Sequence, residues 1–150
     1  MPTHYQGTEE EKLALDAFIK FTRAGSSLEA RLAASGLLGD LTLTQFGVLE
    51  TLYHLGPLCQ GELSHKLLKS TGNTTLVLDN LEKHGLVRRV RSEEDRRMIR
   101  IELTELGKAR IEEVLPGQIA EIVEQMSVLS PQELAELGRL CKKLGLGRRG

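Results

Sequence analysis

The sequence predicts a mainly α protein with one small β-hairpin, and three observations carry that expectation. Apolar residues recur at three- and four-residue intervals over six stretches. That period gives way to alternation between residues 86 and 103. Side chains that cap helices stand at the starts of the longer helical stretches. With 150 residues the chain is sized for a single domain, 1–150. Such a chain can bury about 70% of its unfolded surface and needs no disulfide or metal to fold. Its composition, 40% hydrophobic and 27% charged, is globular. Three Phe and two Tyr are the only aromatics, so the core is expected to be aliphatic.

The first helix is expected over 8–35. Thr8 and Glu11 have capping-box spacing, and Ala14, Phe18, Phe21, Gly25, Leu28 and Leu32 form one stripe. A helix of that length reaches about 42 Å, more than a small domain covers, so part of the stripe should meet something outside the domain. Gly36 and Gly39 end it. A second helix is expected over 44–55, with Thr44 as N-cap and Phe46, Leu49, Leu52 and Tyr53 facing inward, before Gly56-Pro57. A short helix at 60–68, a turn at Ser70-Thr71-Gly72 and a helix at 71–84 closed by Gly85 come next.

Leu86–Arg91 and Ile99–Leu103 then read as strands, joined by the charged run Ser92-Glu93-Glu94-Asp95-Arg96-Arg97. Thr104 can cap a helical region to about 128 along Ile111, Leu115, Ile119, Ile122 and Met126. Pro116 should kink or break it, because proline removes a backbone donor and clashes one turn back. Ser130, Pro131 and Glu133 open a last helix to about 144, and 146–150 is a Gly/Arg tail.

Several function classes are set aside at once. No apolar run approaches a membrane span, and the N-terminus lacks the apolar core of a signal peptide. Cysteines at 59 and 141 alone make no disulfide scaffold, which points to a reducing cytoplasm. The net charge of −1 conceals a local excess. Residues 83–100 hold seven basic side chains (Lys83, Arg88, Arg89, Arg91, Arg96, Arg97, Arg100) against Glu93, Glu94 and Asp95, a net +4. A solvated hairpin surface and an anion-binding patch both fit that charge.

Helix, tight turn, helix and basic hairpin, in that order, make a winged helix-turn-helix over 41–104, with 86–103 as the wing. In this arrangement the second helix enters the DNA major groove. If Thr74, Val77, Leu78 and Leu81 face inward, then Gly72, Asn73, Leu76, Asn80 and Lys83 face outward. Asn73 suits an adenine edge, Thr71 and Thr75 suit bases or phosphates, and Leu76 suits a thymine methyl. The candidate reading surface is Ser70, Thr71, Gly72, Asn73, Thr74, Thr75, Leu76 and Asn80. Lys66, Lys69, Lys83, Arg89, Arg91, Asp95, Arg96 and Arg97 are the candidate backbone and wing contacts. A helix of fourteen residues, 71–84, reads only a few base pairs, so two copies about 34 Å apart are expected. The apolar seams of the flanking helices, 8–40 and 105–146, are the natural twofold interface.

Asp95-Arg96-Arg97, followed after five residues by Leu103-Thr104, resembles the DxRxxxxxLT signature of the MarR family of transcription regulators. Leu78–Arg89 resembles that family's segment from recognition helix to wing, and Leu43-Thr44-Gln45-Phe46 and the terminal helices are similar too. The likeness covers nearly the whole chain and is strongest to the subgroup that senses quinones or other electrophiles. It implies a homodimer on pseudo-palindromic double-stranded DNA, acting as a repressor that a small molecule or thiol modification releases. By the motif, Arg97 enters the minor groove and Asp95 orients it, which agrees with the pull of a narrow minor groove on arginine. Many family members carry Arg where this chain has Leu76, so the operator should differ.

The resemblance also implies a small aromatic or electrophilic effector held between the terminal helices and the winged helix. Phe18, Phe21, Phe46, Tyr53 and His54 are candidates to line that pocket, and the same residues fit an ordinary core. Cys59 reads either as an inert thiol or as a modifiable thiolate. His54, Cys59, Glu62 and His65 lack zinc spacing, and no metal or cofactor is expected. No nucleophile elbow, P-loop or dinucleotide motif is present, so an enzyme is not expected. The rival reading is a winged-helix protein-interaction module that docks a partner through exposed Leu76.

Overall fold

Thr8, Thr42, Thr104 and Ser130 each stand just ahead of a helix, and each hydroxyl accepts from the backbone N–H three residues on. Those bonds satisfy donors that a helix start leaves open. In the computed structural model, which describes residues 3–67 and 71–149, these caps open four of the helices. They are α1 (Glu9–Ala34), α2 (Leu43–Leu55), α5 (Glu105–Met126) and α6 (Pro131–Leu146). Between α2 and α5 lie β1 (Leu58–Cys59), α3 (Gln60–Leu67), α4 (Thr71–Lys83), β2 (Val87–Arg91) and β3 (Ile99–Leu103), and a 3₁₀ turn, Gly147–Arg149, follows α6.

Three details depart from expectation. The cap of α2 is Thr42 rather than Thr44, because Gln45 supplies the returning side-chain bond to Thr42 N–H at 2.9 Å. Thr44 would find Gly47 in that place, with no side chain to return. Helix α5 runs unbroken through Pro116. Pro116 is exposed, and so is Glu112, the residue whose carbonyl loses its donor, so water can serve the orphaned group. A third strand also joins the hairpin: β1 pairs antiparallel with β3 through Leu58–Ile101 and Cys59–Arg100, giving the order β1-β3-β2. Two residues are too few to show alternation.

The hairpin register runs from Val87–Leu103 to Arg91–Ile99, and it sets Arg88 opposite Glu102, which it meets at 2.5 Å. Val87 and Ile101 face inward. They join Val48, Leu49, Leu52, Leu63, Leu78, Leu81, Ile111 and Val114 in one aliphatic core. That core lies within the winged helix and the first half of α5, with Leu38 joining it from the loop ahead of α2. Helices α1 and α6 bury no residue at all.

The wing joins α5 through a close approach of backbones. Thr104 Oγ1 donates to the carbonyl of Gly85 at 2.6 Å and accepts from Gly107 N–H at 3.0 Å. A Cβ on Gly107 would stand 2.0 Å from the Leu86 carbonyl oxygen, which no side chain tolerates. Gly85, at φ +74°, turns the chain out of α4.

Candidate nucleic-acid interface

Helix α4 is seated on α3 by two hydroxyls. Buried Ser64 donates to Thr74 Oγ1 at 2.9 Å, and Gln60 Nε2 donates to Thr75 Oγ1 at 2.5 Å. Thr74, expected on the inward face and also counted among the reading residues, is buried and inward; Thr75, expected at the reading surface, is half-buried; both brace the helix pair. Leu78 and Leu81 complete the inward face. The outward face carries Asn73, Leu76, Asp79, Asn80, Glu82 and Lys83, all exposed, with Leu76 at 71%.

Asn80 is tied to α2, since its Oδ1 accepts from Gln45 Nε2 at 2.8 Å. The backbone of Thr71 and Gly72 begins α4, and Lys66 is exposed at the end of α3. Lys69 and Ser70 lie outside the described residues.

At the wing tip, Asp95 Oδ1 accepts from both the backbone N–H and Nε of Arg97, at 3.0 and 3.3 Å. The Arg97 side chain is nevertheless 91% exposed. Arg91 Nη1 donates to the carbonyl of Arg96 at 2.7 Å and closes the loop from the other side, while Arg96 is exposed. The wing therefore presents an arginine whose root is fixed and whose head is open.

Arg89 has a different setting. Its Nη1 and Nη2 reach Glu82 and Asp79 of α4 at 2.8 and 2.7 Å, and its backbone N–H donates to Glu82 at 3.2 Å. Asp79, Glu82, Gln45, Gln60 and Ser64 had not stood out in the sequence. Their partners are distant in sequence or on another element, and spacing carries no sign of such pairs.

The five effector candidates fall in three places within the single chain. Phe46 is in the core of the winged helix. Tyr53 and His54 meet edge to face on α2, with ring centroids 5.3 Å apart. Phe18 and Phe21 line a groove of about 460 Å³ between α1 and α6, with Leu137, Leu140, Cys141 and Leu144. Phe18 is 62% exposed there.

Cys59 is half-buried beside Glu62. A hydrogen bond from the Cys59 thiol, helped by the Cys59 backbone N–H at 3.1 Å, holds the Glu62 carboxyl below its ordinary value. Among the described residues no three His, Cys, Asp or Glu side chains are placed to hold a metal ion, and no helix is long and apolar enough to cross a membrane.

Known proteins with this arrangement are numerous. The MarR family model matches residues 41–99, from just ahead of α2 to the start of β3. The HTH-type transcriptional regulator MhqR of Bacillus subtilis is 35% identical over 133 residues, which are 89% of this chain and 92% of that protein. A probable transcriptional regulator from Pseudomonas aeruginosa superposes with a TM-score of 0.76 at 29% identity, covering 85% of this chain and 95% of that one. Sco3205 of Streptomyces coelicolor, a MarR family transcriptional regulator solved in complex with DNA, shares the fold at a TM-score of 0.83 and 20% identity, over 98% of this chain and 93% of its own.

Proposed function

The chain belongs to the MarR family of winged-helix, DNA-binding transcriptional regulators, and from that premise we propose that it works as a homodimeric cytoplasmic repressor released by a small molecule. The observation that carries the reading is Arg97, open at the wing tip and anchored at its root by Asp95. An arginine so held loses little freedom when it enters a narrow minor groove. Asn73 and Leu76 on α4 supply a hydrogen-bonding and an apolar contact for base edges, and Lys66, Lys83 and Arg96 supply charge for phosphates.

Dimerisation is supported by the apolar side chains that α1 and α6 leave in water: Leu13, Phe18, Phe21, Leu140 and Leu144. An apolar surface of this kind marks an interaction site. A twofold through these helices would present two α4 helices to one duplex. For release, a small aromatic effector is favoured over modification of Cys59, which is half-buried beside the carboxylate of Glu62.

A mobility-shift titration of sheared genomic DNA across a range of salt tests the reading. Binding should weaken steeply with salt, because each phosphate contact releases counterions and contributes about −0.9 to the slope of log K against log salt. Affinity that does not respond to salt would contradict it.

A further inference from the structure

The outward face of α4 carries two carboxylates, Asp79 and Glu82, beyond Asn73 and Leu76. On a helix that lies against DNA, carboxylates face a dense row of phosphates and oppose binding. Both are engaged by one residue. Arg89, on β2, spends Nη2 on Asp79 and Nη1 on Glu82, and its own N–H completes the clasp on Glu82. Its side chain is 22% exposed, against 58% for Asp79 and 43% for Glu82, so the guanidinium lies beneath the acids it serves. To reach a phosphate it would have to release both, turning a cluster of charge −1 into two unmatched carboxylates at the interface.

We propose that Arg89 is a positioning residue of the DNA interface: it clasps Asp79 and Glu82, masks their charge from the phosphates and makes no DNA contact itself. This rests on the reading of α4 as the helix that meets DNA. It assigns Arg89 a role unlike that of Arg96 and Arg97, although the three sit in one basic run. It also explains how a reading helix tolerates two acids. The guanidinium offers several N–H donors in a fixed fork, which lets one side chain hold two carboxylates at once.

The test is a set of four proteins: wild type, Arg89→Gln, Asp79→Asn/Glu82→Gln, and the triple variant. Their affinities are measured by fluorescence anisotropy on a duplex recovered from a random-sequence pool by selection on the wild type. Arg89→Gln alone should weaken binding by about tenfold or more. In the background without carboxylates the same substitution should change affinity by less than about threefold, with an unchanged salt slope. An Arg89→Gln protein that binds as tightly as wild type would overturn the proposal. So would a triple variant that binds more than about threefold weaker than the double variant, with its salt slope smaller by about 0.9, the mark of a lost phosphate contact. The double and triple variants do not depend on the clasp for their comparison, so the test survives a poorly folded Arg89→Gln. A wild type that enriches no duplex would count against the proposed function itself, and this inference would fall with it.

Discussion

Asp95 accepts two hydrogen bonds from Arg97, one from its backbone N–H at 3.0 Å and one from Nε at 3.3 Å. The pair turns an acid at the wing tip into an anchor for an arginine. Arg97→Ala is expected to weaken DNA binding by about tenfold or more at unchanged thermal stability. Asp95→Ala should also weaken binding, by a few-fold, because the released arginine must be ordered on binding. The second result is the informative one. Charge counting alone says that removing an acid strengthens affinity, so titrations of both variants by anisotropy decide between anchor and bystander.

Gly107 should be intolerant of any side chain. Its Cβ would meet the Leu86 carbonyl oxygen at 2.0 Å, where backbone faces backbone and neither can yield cheaply. Gly107→Ala is expected to cost about 2–3 kcal/mol despite the better helix propensity of alanine. Urea unfolding of the two proteins measures the difference, and an unchanged or raised midpoint would refute the close approach.

Much of this architecture is legible in the sequence. Capping residues Thr8, Thr104 and Ser130 marked helix starts correctly because the motif is local and its chemistry is confined to four residues. The inward face of α4 was legible for the same reason, since Thr74, Leu78 and Leu81 follow the helical period. Long-range polar partners were not. The bonds from Gln45 to Asn80, from Gln60 to Thr75 and from Arg89 to Asp79 and Glu82 join elements whose meeting depends on the whole core. Thr75, Asn80 and Arg89 therefore looked like free surface in the sequence, and in the structure each holds a neighbouring element. Strand β1 was hidden by its length, and the passage of α5 through Pro116 by the exposed setting of Pro116 and Glu112, which spacing does not show.

The exposed apolar faces of α1 and α6 make a prediction about assembly. Phe18→Asp places a charge in the groove that Leu137, Leu140 and Leu144 share. Sedimentation equilibrium should show the wild type as a dimer and the variant shifted toward monomer, with DNA binding lost in parallel. Helices α2 to α4 should keep their stability, because Phe18 contributes nothing to the core. A variant that remains dimeric would place the interface elsewhere.

Acid should loosen the tie between the α1–α2 loop and α5. Arg110 bonds to the Asp40 carboxylate and to the Leu38 carbonyl, the latter at 3.2 Å. The bond from Arg110, with its positive charge, holds the Asp40 carboxyl below its ordinary range. A carboxyl depressed in the folded state adds stability above its unfolded value, and that stability is lost as pH falls through the folded value. Wild type should therefore be more stable than Asp40→Asn near neutrality, and the gap should close as the pH drops below about 4. A gap that persists at lower pH would show that shape, not charge, is what Asp40 contributes.

Two α4 helices and two arginine-tipped wings are expected to read one duplex across a twofold axis. Selection from a random pool, followed by sequencing of the bound fraction, tests that arrangement most directly. An inverted repeat with half-site centres about 10 base pairs apart, or a multiple of that, is the expected product. Enrichment of a single unrepeated site, or of no sequence at all, would contradict it.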